Sequence, residues 1–234
     1  MQLTIGAPFW ALFPEAIIGV MVVRGVDNRR DAAAAETLLL QRAREAAERL
    51  GDADLSSHPA VAPWRAAYGT FGIKPSKHPS GIEGLLRSAR VGRIRGINPL
   101  VDLYNAVSLS ALLPCGGEDL AHVRGDVHLT RAVGDELFVP LGASEPQPPI
   151  AGEVVYRDDA GVLCRCWNWR EAERTKLTAA TTDALLVIEA LPPVGVATVR
   201  AACDDLGALV RDHLGGAATV TILDRATPTM TLAA

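Results

Sequence analysis

The chain has 234 residues, 49% of them hydrophobic and 21% charged, which is enough apolar material for one sizeable core and predicts a single domain over 1–234. Its net charge of −4 argues against a protein that coats nucleic acid, DNA included, because neutralising many phosphates takes a surplus of Lys and Arg. The longest aliphatic run, 16–23, is far shorter than the ~20 residues of a bilayer span, and the Met1-Gln2-Leu3 start lacks a signal peptide's basic region, so a cytoplasmic protein without membrane contact is expected.

Residues 2–5 and 15–23 read as strands, the second a continuous apolar run suited to a sheet interior. Residues 31–50 carry Ala, Leu and Arg/Glu at helical spacing and stop at Gly51, a usual residue just past a helix end. Trp64, Ala67, Tyr68 and Phe71 recur at i, i+3, i+4, i+7, which puts them on one face of a short helix with core packing as their default role. Ser80-Gly81-Ile82-Glu83 fits a capping box, with Ser80 accepting from the amide three residues on and Glu83 reaching back. Ile82, Leu85, Leu86 and Ala89 complete an apolar stripe that ends at Gly92. Asn98-Pro99 opens the next helix, Asn as N-cap and Pro at the first helical position, and that helix runs to about Leu113 before Pro114 stops it. On it Asn98, Asp102 and Asn105 fall at i, i+4, i+7, a polar stripe that marks either a solvent face or a pocket wall.

From Gly116 onward the texture changes to short strands at 126–132, 136–141, 153–156 and 162–167, separated by Gly/Asp turns and a Pro-rich loop at 144–149. Residues 184–191 read as another buried strand. Val199, Cys203, Leu206 and Val210 line a helix ending at Gly215-Gly216, and a last strand is expected at 219–223. Helices first, then strands, then a strand–helix–strand tail predict an α+β fold with a mixed or antiparallel sheet packed with helices.

Cys115, Cys164, Cys166 and Cys203 show neither a Cys-x-x-Cys pair nor a His partner at finger spacing, so small core residues are expected, with no disulfide framework and no metal. Nucleotide-binding glycine loops, His-Glu-x-x-His and Gly-x-Ser-x-Gly do not occur, and no cofactor is implied. Three stretches stand out. Lys74, Lys77, Arg87, Arg90, Arg93 and Arg95 crowd a segment whose one acid is Glu83, a candidate phosphate-facing patch or an ordinary solvated face. Gly116-Gly117-Glu118-Asp119 is either a plain solvent turn or a turn that presents two acids to a pocket. In 164–171, Trp167 and Trp169 can wall a pocket or fill a core, Asn168 and Arg170 can donate, and Glu171 can accept from an ammonium group or orient a water.

Ile97-Asn98-Pro99-Leu100-Val101-Asp102-Leu103-Tyr104-Asn105 resembles the Ile-Asn-x-Val-Val-Asp-x-x-Asn helix of the B3/4 domain, the tRNA-editing module in the β subunit of bacterial phenylalanyl-tRNA synthetase. Residues 114–125 follow at the spacing of that family's Pro-x-His-Ala-Phe-Asp turn, with Asp119 on the Asp, and Glu171 falls on the Glu of its Gly-Gly-Glu segment. The likeness spans 62–188, and Pro75-Ser76-Lys77 with Trp167-Asn168-Trp169-Arg170 resembles free-standing family members. Gly116 stands where the family has its His, and Trp169-Arg170 replaces the Gly-Gly. The resemblance implies a trans-acting aminoacyl-tRNA deacylase whose pocket lies at the junction of sheet and helices. Glu171, Asn98 and Glu118 are the expected catalytic residues, and Asn105, Asp119, Trp167, Asn168, Trp169 and Arg170 the substrate-binding ones. The basic stretch would hold the tRNA acceptor end weakly, and the other partner would be amino-acid-like. The alternative is a non-catalytic binding module for an amino acid or similar metabolite. In either case Asn98, Asn105, Glu118 and Glu171 are expected to line one cavity.

Overall fold

The computed structural model describes residues 1–232 and opens with β1 (Gln2–Ile5), a short helix α1 (Ala7–Trp10) and β2 (Ile17–Arg24). All of β2 up to Val23 is buried because the strand lies between two cores. Ile18, Val20 and Val22 join one, with Phe9, Phe13, Trp64 and Trp167, whereas Ile17, Met21 and Val23 join the other. A strand covered on both faces shows no polar alternation, which is why its sequence is a continuous apolar run.

Four helices follow at the predicted places: α2 (Ala32–Leu50), α3 (Ala62–Thr70), α4 (Gly81–Arg90) and α5 (Pro99–Ala111). Ser80 Oγ accepts from the Glu83 amide as the capping box requires. Glu83 does not reach back. Its fully buried carboxylate instead pairs with Arg65 at 2.7 Å and with Arg87, because two guanidinium groups compensate a buried charge better than one backbone amide.

The strands form two sheets. In the antiparallel one the order is β3 (Cys115–Asp119), β8 (Ala184–Ala190), β2 and β9 (Ala217–Leu223), with α6 (Val196–Leu214) laying Val199, Cys203, Leu206 and Val210 into the second core. The other sheet runs β10 (Thr229–Thr231), β1, β4 (Val127–Arg131), β5 (Val154–Asp158), β6 (Gly161–Arg165) and β7 (Arg170–Glu171), and only its β1–β4 pair is parallel. The fold is therefore α+β. All four cysteines are free; Cys164, Cys166 and Cys203 are buried and Cys115 is half-buried.

Two expectations are corrected. Residues 136–141 form no strand beyond a single bridge at Pro140, since Pro offers no N–H to a ladder and the Glu136 carboxylate folds back onto the amides of Val133 and Gly134. Gly116-Gly117 is no turn either. Both residues lie within β3, paired with Val187 and Leu186 of β8, and the turn comes later, where Asp119 Oδ1 accepts from the Ala121 amide. The glycines are there for closeness: a Cβ on Gly117 would sit 2.5 Å from the Leu186 side chain. No helix among the described residues is long and apolar enough to cross a membrane.

Candidate functional site

Between the two sheets lies a small cavity, and beside it an open groove between α4, α5 and the 168–171 segment. The cavity, about 20 Å³, takes Gly116 to Glu118 from β3, Val127 from β4, Tyr156 from β5, Leu163 and Cys164 from β6, and Leu185, Val187 and Glu189 from β8. At that size it has room for a group about as large as one water. The groove, about 410 Å³, is lined by the small residues Gly81, Gly84 and Ser88 of α4, by Tyr104, Asn105 and Ser108 of α5, and by Cys115, Asn168, Trp169 and Arg170. Asn168 and Glu171 line both spaces, so Glu171 stands where they meet.

The strand register explains the placement of the acids. Gly116 and Glu118 are two apart on β3 and so share a face, and Glu171 on β7 lies opposite Cys164 of β6. A Cβ on Gly116 would stand 2.7 Å from Glu171 Oε1, so the missing side chain is the space that the Glu171 carboxyl occupies. Glu118 Oε2 and Glu171 Oε2 are buried and have no hydrogen-bond partner among the described residues. Burial, and then the neighbouring Glu171, push the Glu118 carboxyl well above the usual range; burial raises Glu171 as well. Two acids so placed favour holding one proton between them.

Glu189, a third buried acid, was missed by sequence reasoning. Its Oε1 accepts from Tyr156 Oη and Trp167 Nε1, each at 2.6 Å, and its Oε2 from Asn168 Nδ2 at 2.8 Å. Burial raises its pKa to about 7 although these three donors pull the other way. The signal was a lone carboxylate inside the apolar run Ala-Leu-Leu-Val-Ile-Glu-Ala. Tyr104, which lines the groove, was also passed over; burial, then Glu171, raise its hydroxyl well above its usual range.

Cys166 and Trp167 adopt positive φ angles of 49° and 70°, which turn the chain sharply out of β6. The turn drives Trp167 into the core, edge-on to Phe9 and Trp64 at ring distances of 4.8 Å, and leaves Asn168 at the groove. Trp167 thus borders the cavity as a fully buried core residue rather than as a free pocket wall. Asn168 accepts from Tyr68 Oη at 2.8 Å, and its backbone carbonyl accepts from the Gly81 amide, which ties the start of α4 to the site. Trp169 lines the groove, held edge-on by His78 at 4.3 Å. Arg170 is exposed at the rim and donates to the Leu141 carbonyl.

The structure brings Glu118, Glu171, Asn105, Asn168, Trp169 and Arg170 together around these two spaces, and it does not bring Asn98 or Asp119 there. Asn98 is the N-cap of α5: its Oδ1 accepts from the Val101 amide and Asn28 Nδ2, and its Nδ2 donates to the Leu177 carbonyl. It borders a separate shallow hollow with Asn28 and Asp102, so the expected single cavity is corrected: Glu118 lines the small cavity, Asn105 the groove, and of the four residues Glu171 alone lines both. Asp119 is occupied with the Thr181 hydroxyl at 2.6 Å. In the basic stretch Arg87 is taken up by Glu83 and Arg90 donates to the Ala53 carbonyl. Lys74, Lys77, Arg93 and Arg95 are exposed without a carboxylate partner among the described residues. None of the six lines the groove. Among the described residues no three His, Cys, Asp or Glu side chains are grouped to hold a metal ion.

Comparison with known proteins adds the lineage. A crystallised N-terminal fragment of the phenylalanyl-tRNA synthetase β-subunit from Pyrococcus horikoshii is similar at 11% sequence identity and a TM-score of 0.49, over 92% of this chain and 49% of that one. The chain thus spans about half the length of that fragment. No curated protein matches the sequence. The family model of the B3/4 domain matches residues 63–210, more than half of the chain, and the protein belongs to the B3/4 domain family.

Proposed function

We propose that this B3/4 protein hydrolyses the ester of a mischarged aminoacyl-tRNA in trans. The observation that carries the reading is a pair of acids, buried Glu118 and half-buried Glu171, each with a buried carboxylate oxygen that has no hydrogen-bond partner among the described residues, set where a small cavity meets a groove wide enough for an aminoacyl group. The groove would hold the aminoacyl ester, with Asn105, Asn168 and Trp169 against its polar and flat surfaces. An ionised Glu171 whose basicity is raised by burial accepts a proton from a water as that water's oxygen attacks the ester carbonyl. The tetrahedral intermediate collapses with loss of the terminal ribose oxygen, which takes the proton back, giving free amino acid and tRNA. No Ser–His pair is needed where positioning supplies much of the rate.

A second reading, an amino-acid-binding module, is favoured by Gly116 standing where relatives have His and by a groove lining without Lys or His. Incubating the purified protein with a panel of mischarged tRNAs separates the two. Deacylation above the spontaneous rate supports the enzyme. An amino acid that binds without any ester being cleaved supports the module.

A further inference from the structure

We infer that the recess between Glu118 and Glu171 is an ammonium subsite, which restricts the protein to aminoacyl groups with a free α-amine and excludes N-acylated ones such as peptidyl esters. The inference rests on the groove being the aminoacyl site, as proposed above. Its first support is charge. Glu118, Glu171 and Glu189 border one cavity whose other walls include Val127, Leu163 and Leu185, and no Lys or Arg lines it. The cation of consequence for Glu118 is Arg174, and its guanidinium is committed to Asp158 at 2.7 and 3.0 Å. Buried carboxylates without a basic partner favour a cationic ligand that supplies the missing charge.

Geometry gives the second support. Glu118 lines the cavity and is only 6% exposed, its Oε2 has no hydrogen-bond partner among the described residues, and the same holds for Oε2 of Glu171, which lines both cavity and groove. An ammonium group carries three donors for such acceptors. The third support is size: about 20 Å³ admits a group the size of a water, hence an –NH3⁺, whereas an acyl chain would have to displace β3 or β8 side chains. With the amine seated there, the ester carbonyl one carbon further on falls back into the groove beside Glu171. One small, mostly apolar recess bordered by acids would thus register the substrate and reject blocked amines.

The test uses stable amide analogues of the tRNA 3′ end, 3′-deoxyadenosine carrying a 3′-alanylamido or 3′-tyrosylamido group, each with a free or an N-acetylated amine. Binding is measured calorimetrically on the full chain. N-acetylation is expected to weaken binding roughly 10- to 100-fold, the range of a charge-assisted hydrogen bond. Glu118→Gln, close in shape to a protonated Glu118, should fold normally and lose most of that discrimination. Equal affinity for free and acetylated forms, no binding of either, or unchanged discrimination in Glu118→Gln overturns the subsite. Because these analogues cannot be hydrolysed, the outcome is independent of whether the protein is a deacylase; a wild type that binds them selectively but cleaves no ester overturns only the catalytic reading.

Discussion

Glu189→Gln probes the most deeply buried acid of the site through the pH dependence of folding. Glu189 is 1% exposed, and burial raises its pKa from 4.5 to about 7. An acid whose pKa is higher when folded holds its proton more tightly in the folded chain. Its contribution to stability is therefore complete below pH 4.5 and is lost as the pH rises to about 7. At about 1.4 kcal/mol per pKa unit, the loss across that window is on the order of 3 kcal/mol, a large share of a typical domain's stability. Gln cannot titrate, and its amide would face the Asn168 amide donor, so the variant starts lower by a pH-independent amount of about 1–2 kcal/mol. Urea unfolding of both proteins between about pH 4.5 and about pH 8 brings out the Glu189 part, since the other titrating groups are present in both proteins and Glu171, the acid that also raises Glu189, is a smaller cause than burial. Wild-type stability should fall by about 3 kcal/mol more than that of Glu189→Gln across this range. Parallel curves would refute the reasoning and show the carboxylate to be compensated by its three donors.

Gly116→Ala places a methyl 2.7 Å from Glu171 Oε1, so the carboxyl must move; deacylation should fall toward the 10²- to 10⁴-fold loss of a missing acid–base group with little change in melting temperature, and full activity would contradict the packing account. Asn98→Ala removes an N-cap with two further buried partners and should cost about 1–2 kcal/mol or somewhat more in urea unfolding, with turnover preserved at low temperature; a selective loss of turnover in a stable variant would return Asn98 to the site. Replacing Lys74, Lys77, Arg93 and Arg95 together by Ala should weaken tRNA binding and lower its salt slope by about one for each phosphate that is no longer neutralised; unchanged affinity would mark the stretch as a solvated face.

Helices were legible because their signals are local. Ser80 and Asn98 cap as their types require, Gly51 and Gly215 end α2 and α6, and the Trp64–Phe71 spacing marks a buried face. Of the residues around the cavity and groove, Glu171 and Asn105 lie on the family motif, whereas Glu118 stood out only as an acid of the Gly116-Gly117-Glu118-Asp119 stretch. Asn98 misled because a cap and a pocket residue look the same in sequence; its amide is spent on Asn28 and Leu177, which are far away along the chain. Gly116-Gly117 reads as a turn unless Glu171 and Leu186, both distant along the chain, are known to press against it. Trp167 announced itself by composition, but whether it walls a pocket or fills a core depends on Phe9, Phe13 and Trp64, which come from distant segments. Glu189 needed only the question of why an acid interrupts a buried strand.

The central claim is that Glu171, at the meeting point of cavity and groove, acts in ester cleavage. Its most direct test is single-turnover deacylation of the mischarged-tRNA panel by wild type, Glu171→Ala and Glu171→Gln, each confirmed folded by circular dichroism. The account predicts cleavage by the wild type of at least one ester, a loss on the order of 10²- to 10⁴-fold in Glu171→Ala, and a comparable loss in Glu171→Gln, which keeps the shape but cannot take a proton from water. Cleavage at the wild-type rate by either variant would contradict it.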